Sequence, residues 1–285
     1  MMSRNTTTLP RPLSNLAQRI LTALIGVPLV IGAVYAGGSL FLLLVGVLTV
    51  AAQIEFYKMS GADERHALRL VGLLMGALVV LQIRVPAAWP ALVLLAVGLL
   101  VYATFFAGRR EVWERLAWVY AGVFYPAFFA AQLAVLRLRE GGGVDSLTAF
   151  WLMAALLVGI WSNDTLAYVA GRLFGRRPLA PAISPKKTWE GAIGGLVGAM
   201  AAVVLIKVYQ LPLLNWGHTI ALGLIVGVGG EVGDLIESRL KREWGVKDSG
   251  NLLPGHGGIL DRIDGLLFTA PLYVLYLTYV AGVYR

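Results

Sequence analysis

Cysteine is absent from this chain of 285 residues, which excludes disulfides, zinc–thiolate sites and cysteine nucleophiles. Charged residues are scarce as well, at 14% of the sequence, whereas soluble domains carry about 25%. Hydrophobic residues make up 58%, and the mean hydropathy is +0.74. A soluble fold of this size would lack the polar surface to cover its exterior, so the composition predicts an integral membrane protein.

Apolar segments long enough to cross a lipid bilayer, which takes about 20 residues, recur along the whole chain. We identify nine of them, so the predicted fold is an all-α polytopic membrane protein with about nine transmembrane helices. The segments are at about 17–36, 38–57, 67–83, 87–107, 116–136, 148–171, 191–210, 218–238 and 259–283. About five form an N-terminal set in residues 1–147, and about four lie in residues 148–285, which we predict to be the catalytic transmembrane domain.

Basic residues indicate the orientation of these segments. The formal net charge is +8, but most of the 24 lysines and arginines lie in short loops on one side of the predicted arrangement. The other side carries only Arg84, Arg137, Arg139, Lys207 and Arg285. Because basic residues concentrate in cytoplasmic loops, we expect a cytoplasmic N-terminus, an external C-terminus and no nucleic-acid partner. Short loops without a targeting extension favour the plasma (inner) membrane of a bacterium.

Carboxylates within apolar segments are the anomaly of this sequence, since such groups are costly in a bilayer and point to function. In the N-terminal half only Glu55 falls within a predicted span, where we expect it to reach water or Lys58. The remaining ones lie in the C-terminal half, close to the predicted cytoplasmic ends, and are Asp164, Glu231, Asp234, Glu237, Asp261 and Asp264.

The eighth span carries three of these carboxylates at intervals of three residues: Glu231, Asp234 and Glu237. Side chains three apart share a helix face, so the carboxylates form one stripe of an apolar helix. Bunched anions repel one another, and Mg²⁺, which prefers carboxylate oxygens together with substrate phosphates, would relieve that repulsion. The alternative is that these carboxylates pair with basic side chains in 239–242 at the membrane surface.

A polar segment follows, in which residues 245–258 contain five glycines and one proline. Glycines allow backbone N–H groups to approach an anion, as in phosphate-binding loops, and Lys247 and Arg262 add positive charge. Asp261 and Asp264 are again three residues apart. An ordinary loop with an aspartate at a helix N-terminus would explain one aspartate, but not the density of polar residues in so apolar a chain.

This segment resembles the signature of the phosphatidate cytidylyltransferase (CDP-diacylglycerol synthase) family, which reads S-x-apolar-K-R, four residues, K-D-x-small, two residues, apolar-P-x-H-G-G-apolar-x-D-R-apolar-D. The positions in register are Ser238, Lys241, Arg242, Lys247, Asp248, Gly250, Pro254, His256, Gly257, Gly258, Asp261, Arg262 and Asp264. Two further stretches are similar to the family: 162–172, where Leu166 replaces a usual glycine, and 184–191. The resemblance covers about residues 150–285.

The resemblance implies a nucleotidyltransferase that transfers CMP from CTP to phosphatidate for phospholipid biosynthesis, at a cavity facing the cytoplasm. It implies Mg²⁺ as cofactor and allows a second cation. The expected catalytic metal ligands are Asp234 and Asp261, followed by Glu231 and Asp264. The other candidate catalytic residues are Lys187, Asp248, His256 and Arg262. The candidates for binding CTP or the phosphatidate head group are Lys186, Lys187, Lys247, Arg262, Asp164 and Ser184.

Two other classes of membrane protein compete with this interpretation. An ion-coupled transporter also uses intramembrane carboxylates and glycine-broken helices, although the acidic residues here cluster in one half of the chain and no inverted repeat is visible. A CDP-alcohol phosphotransferase would carry D-G-x-x-A-R, whereas Asp264 and Gly265 are followed here by L-L-F-T. Membrane lipids are expected partners in every case, and the sequence leaves open whether the chain forms a homodimer.

Overall fold

The computed structural model describes residues 15–62, 66–107, 110–253 and 255–284, and most of them are helical. The helices are α1 (Asn15–Ala36), α2 (Gly38–Met59), α3 (His66–Leu81), α4 (Ala88–Tyr102), α5 (Arg110–Gly122), α6 (Phe129–Leu138), α7 (Ser146–Phe174), α8 (Trp189–Gln210), α9 (Trp216–Glu243) and α10 (Leu260–Leu275). Three π-helical segments, Ala103–Ala107, Val123–Phe128 and Tyr276–Val280, continue α4, join α5 to α6 and extend α10. Pro126 lies within the second of them, where it has no N–H group for a regular helical hydrogen bond.

The all-α polytopic class predicted from the sequence is confirmed at this coarse level. By length and composition, seven helical segments of the described chain could cross a membrane. They are Gly38–Met59, Ala88–Phe106, Arg110–Leu138, Ser146–Phe174, Trp189–Gln210, Trp216–Glu243 and Leu260–Val280. The apolar parts of α1 and α3, Ile20–Ala36 and Ala67–Leu81, are shorter, so the count of nine spans stays a prediction.

Helix α2 is fixed to its neighbours by two buried polar side chains. The Gln53 amide donates hydrogen bonds to the carbonyl oxygens of Gly72 (3.1 Å) and Gly122 (3.2 Å). The Tyr57 hydroxyl donates to the carbonyl of Val119 at 3.0 Å. Hydrogen bonds of this kind tie helices together in a bilayer, where apolar surfaces alone give little preference for one packing. They set the position of α2, which becomes important at the functional site.

Close packing joins α7 to α8, because glycines on α8 bring the two backbones together. A Cβ atom on Gly198 would lie 2.7 Å from the Ser162 carbonyl oxygen, and one on Gly191 would lie 2.9 Å from that of Ala167. Such contacts are too short for a real side chain, so small residues are required here. This packing holds the N-terminus of α8 next to the C-terminal turns of α7.

A short antiparallel hairpin connects α7 to α8 and contains the start of the family-like stretch 184–191. Its strands are β1 (Pro178–Ala180) and β2 (Ser184–Thr188). The Thr188 side chain then begins α8 by accepting a hydrogen bond from the Gly191 N–H at 3.1 Å, the usual role of an N-cap residue. The hairpin and this cap together place the 186–187 lysine pair beside α9.

Candidate active site

A polar cavity of about 600 Å³ lies where α7, the hairpin, α8, α9 and α10 meet. Its charged lining residues are Asp164, Arg172, Lys186, Lys187, Glu231, Asp234, Lys241, Asp248, Asp261, Arg262 and Asp264. Positions far apart in the sequence thus converge on one volume. The structure brings together all four candidate metal ligands, and it places Asp164, Lys186 and Lys187 in the same cavity.

The first charged cluster in the cavity joins the hairpin to α9. The Lys187 ammonium lies 2.7 Å from Glu231 Oε2 and 2.8 Å from Asp234 Oδ2. The other oxygen of Asp234 accepts a hydrogen bond from the Ser238 hydroxyl, one helical turn further along, at 3.0 Å. Burial acts to lower the pKa of Lys187, but the carboxylates of Asp234 and Glu231 outweigh it and raise that pKa above its ordinary value. Lys187 is therefore fully charged at neutral pH.

The second charged cluster joins α9 to α10. The Lys241 ammonium lies 2.7 Å from Asp261 Oδ1 and 3.3 Å from Glu237 Oε2. Glu237 is fully buried, so its charge depends on this partner. Pairing with a basic residue in 239–242, the alternative raised from the sequence, is found for Glu237 only. Glu237 is buried, however, and does not lie at the membrane surface as that alternative required. Glu231 and Asp234 pair with Lys187 on the hairpin instead.

Asp261 is the most heavily hydrogen-bonded carboxylate of the site. Besides Lys241, it accepts hydrogen bonds from the Ser249 N–H, at 3.2 Å and 3.0 Å to its two oxygens, and from the Gly258 N–H at 2.9 Å. The glycine-rich loop therefore closes on a carboxylate of the protein itself. The expectation that this loop aims its N–H groups at a phosphate is wrong for these amides, because they are already bound.

The contacts of Glu55 were predicted wrongly from the sequence. Glu55 is 2% exposed and reaches neither water nor Lys58 as its partner. It accepts hydrogen bonds from the Ser249 hydroxyl (3.0 Å), the Ile259 N–H (3.0 Å) and the Leu260 N–H (2.8 Å). These donors lie about 200 residues away along the chain, and so no local pattern could have revealed them.

A second cavity, of about 590 Å³, adjoins the first. Asp248 and Arg262 line both cavities, while His256 lines only the second. The Arg262 guanidinium donates to the His256 carbonyl at 3.0 Å, which keeps the loop folded over α10. The remaining two candidates, Lys247 and Ser184, line neither cavity. Lys247 is exposed and Ser184 lies at the start of β2.

Lys241 and Arg172 are lining residues that the sequence did not single out as site residues. Lys241 follows Glu237 by four residues, the interval at which opposite charges meet on a helix, so the spacing was available as a signal. Arg172 lies in the last turn of α7 and donates to the Tyr168 hydroxyl at 3.0 Å. The sequence placed it at the end of the family-like stretch 162–172 but gave it no role in the site.

The donor chemistry of the cavity fits Mg²⁺, which takes hard oxygen ligands. No group of three histidine or acidic side chains in the described part of the chain converges around one point. Mg²⁺ often binds one or two carboxylates and completes its shell with water and substrate phosphates. Asp234 and Asp261 line the same cavity, which suits that mode of binding.

The fold and the site define a polytopic membrane protein whose cavity combines carboxylates with lysine and arginine, as phosphate chemistry requires. A model described as the cytidylyltransferase family matches residues 17–280, and the chain belongs to that family. It is 35% identical over 268 residues to the phosphatidate cytidylyltransferase of Brucella abortus biovar 1 (strain 9-941), covering 93% of this chain and 94% of that protein. Its identity to the Bacillus subtilis (strain 168) phosphatidate cytidylyltransferase is 33% over 275 residues, covering 92% and 97%.

Proposed function

We propose that this protein transfers CMP from CTP to phosphatidate, giving CDP-diacylglycerol and pyrophosphate. The observation that carries the proposal is the single cavity in which two lysine–carboxylate clusters, around Lys187 and Lys241, lie among helices of membrane-spanning length. Both substrates are anions, and one of them is a membrane lipid. The basic side chains of the cavity can bind phosphate oxygens, and its carboxylates would hold Mg²⁺. A site of this kind within a membrane protein meets both needs.

The reaction needs little covalent chemistry from the protein. A phosphate oxygen of phosphatidate bonds to the α-phosphorus of CTP, the bond from that phosphorus to the oxygen bridging the β-phosphate breaks, and pyrophosphate leaves. The second pKa of a phosphate monoester is about 6, so the nucleophile is an anion at neutral pH and needs no strong general base. The task of the chain is to bring two anions together and to stabilise the charge that develops on pyrophosphate.

The residues divide into two groups by what they can hold. The ammonium and guanidinium groups bind phosphate oxygens, and the candidates that line the cavity are Arg172, Lys186, Lys187, Lys241 and Arg262. The carboxylates of Asp234 and Asp261 would hold Mg²⁺, with Glu231 and Asp264 as further candidates. When bound, Mg²⁺ supplies positive charge that offsets the charge of the phosphates.

The basic side chains and the carboxylates are linked, because binding of substrate would change their ion pairs. In the structure each cluster pairs one lysine with two carboxylates, since Lys187 binds Glu231 and Asp234, and Lys241 binds Glu237 and Asp261. In the proposed reaction, Lys187 turns to a phosphate oxygen and leaves Asp234 Oδ2 open. The carboxylate oxygen freed in this way would be available to hold Mg²⁺.

An ion-coupled transporter is the function that this proposal must exclude, and vesicles distinguish the two. The purified protein in vesicles containing phosphatidate is incubated with CTP and Mg²⁺, and the lipid fraction is analysed for CDP-diacylglycerol. We expect CMP transfer that requires both phosphatidate and a divalent cation. Ion or solute flux without consumption of CTP, from protein that is folded by size-exclusion chromatography, would contradict the proposed function.

We further propose nine spans in a bacterial plasma membrane, with the cavity open to the cytoplasm, where CTP is available. The basic residues around the hairpin support this orientation.

Because the chain has no cysteine, a single introduced cysteine reports its own side of the membrane. Ala182→Cys in the exposed turn of the hairpin should react with an impermeant maleimide in inverted vesicles only. Leu213→Cys, 43% exposed between α8 and α9, should react in spheroplasts, and the reverse pattern would contradict the orientation.

A further inference from the structure

We propose that Glu55, in the N-terminal half of the chain, is a positioning residue for the transfer reaction. It fixes the first turn of α10 and, through Ser249, the carboxylate of Asp261. This inference rests on the proposed function, since its effect is exerted on the residue expected to hold Mg²⁺. It gives the N-terminal helices a role in the chemistry besides forming lipid-facing spans.

The start of α10 differs from the starts of the three preceding helices. The side chains of Asp145, Thr188 and Asn215 cap α7, α8 and α9, each by accepting a hydrogen bond from an N–H three residues ahead. The residue that precedes α10, Ile259, has no side-chain acceptor to offer. The free N–H groups at the N-terminus of a buried helix need partners, and so this helix must take its cap from elsewhere.

Glu55 supplies that cap from α2. Its Oε1 accepts from the Ile259 N–H at 3.0 Å, and its Oε2 accepts from the Leu260 N–H at 2.8 Å. The two flanking amides are bound as well, Gly258 N–H to Asp261 Oδ2 and Asp261 N–H to the Ser249 hydroxyl (3.3 Å). A negative charge at a helix N-terminus also interacts favourably with the helix dipole.

Ser249 connects Glu55 to Asp261. Its hydroxyl donates to Glu55 Oε2 at 3.0 Å, and its backbone N–H donates to both oxygens of Asp261. Ser249 is 5% exposed, so water cannot readily replace these contacts. A change at Glu55 therefore alters the hydrogen bonds of Asp261 without touching the cavity directly.

The space around Glu55 is closed by two glycines of the loop. A Cβ atom on Gly250 would lie 2.5 Å from Glu55 Oε1, and one on Gly258 would lie 2.6 Å from Glu55 Oε2. The loop backbone thus packs directly against the carboxylate. This contact explains the small residue at 250 and the glycine at 258, whereas the sequence attributed the loop glycines to the approach of backbone N–H groups to an anion.

The position of Glu55 is itself fixed, because Gln53 and Tyr57 on the same helix bind backbone carbonyls of neighbouring segments. The binding groups Arg172, Lys186 and Lys187 belong to α7 and the hairpin, which share no hydrogen bond with Glu55. Loss of the Glu55 carboxylate should therefore disturb Asp261, together with Lys241 and Arg262 beside it. The binding groups on α7 and the hairpin should remain largely intact.

Steady-state kinetics of Glu55→Gln at saturating Mg²⁺ test the proposal. We expect kcat to fall about 10–100-fold, the range found for residues that orient metal ligands, while KM for CTP changes less than about threefold. The matched control is Glu114→Gln, an exposed carboxylate on α5 that pairs with Arg110 and should leave both constants unchanged. Ser249→Ala should reproduce the loss of kcat, and the double variant should lose no more than the larger single effect, because both act on Asp261.

The rate of amide hydrogen exchange in a peptide covering 249–262 is a second measurement, and it does not depend on activity. Exchange should become faster in Glu55→Gln and remain unchanged in Glu114→Gln. If the wild-type protein shows no CMP transfer, the proposed function fails, while the exchange data still test the contact. A folded Glu55→Gln protein with wild-type kcat would overturn the inference. If Glu55→Gln does not fold, wild-type kcat in Ser249→Ala would overturn it equally.

Discussion

Asp261→Asn is expected to lower kcat for CMP transfer about 10²–10³-fold, the loss typical of removing one preorganised electrostatic group from an active site. Asp261 accepts from Lys241, Ser249 and Gly258. Asparagine would turn an NH₂ group toward one of these donors and would offer a cation a single neutral oxygen. Both effects weaken the site, and higher Mg²⁺ should restore little activity. The measurement is kcat as a function of Mg²⁺ concentration.

Asp145→Asn is the matched control for this variant, because it makes the same substitution at the N-cap of α7. Asparagine caps helices about as well as aspartate, so kcat should remain within about twofold of wild type. Wild-type activity in a folded Asp261→Asn protein would move the metal site to other carboxylates of the cavity. The enzyme activity itself would still stand, because the assay includes the wild-type protein.

Lys187→Met is expected to have the second largest effect, again about 10²-fold or more in kcat. The substitution keeps much of the side-chain volume but removes the ammonium group between Glu231 and Asp234. The two carboxylates are then left without their cation, and one phosphate loses its binding partner. Lys207→Met provides the control, since Lys207 lies over the Trp216 ring outside the cavity.

A double-mutant cycle separates the two roles of Lys187. If its main task is to neutralise Asp234, then Lys187→Met combined with Asp234→Asn should lose less activity than the product of the two single effects. If Lys187 also binds phosphate, KM for CTP or phosphatidate should rise in Lys187→Met and not in Asp234→Asn. Activity and both KM values unchanged in folded Lys187→Met would remove this lysine from the site.

The sequence predicted which residues lie together where chemistry and spacing coincide. Two members of the stripe on α9, Glu231 and Asp234, line one cavity with the pair at 261 and 264, and Lys187 faces it from the hairpin. Carboxylates in an apolar chain are costly, so their positions carry information even without a structure. The family resemblance rested on the same residues, and the match to residues 17–280 confirms it.

The partners of these residues could not be predicted in the same way. Nothing in the sequence showed that Lys187 would bind α9, because a loop lysine has no periodic relation to a distant helix. Glu55 was expected to reach water, since its position near the end of α2 allowed it. Its burial follows from the packing of α2 against the start of α10, which only tertiary structure reveals. The amides of Ser249 and Gly258 in the glycine-rich loop were misjudged for the same reason, since both bind Asp261.

The central claim is CMP transfer at this cavity, and positional labelling of CTP tests it most directly. The wild-type protein is incubated with phosphatidate and Mg²⁺, in parallel with CTP labelled at the α-phosphate and CTP labelled at the γ-phosphate. The account predicts that the α-label enters the lipid fraction and that the γ-label is recovered in pyrophosphate. Label from the γ-phosphate in lipid would indicate a kinase, and absence of both labels from lipid with folded protein would contradict the account.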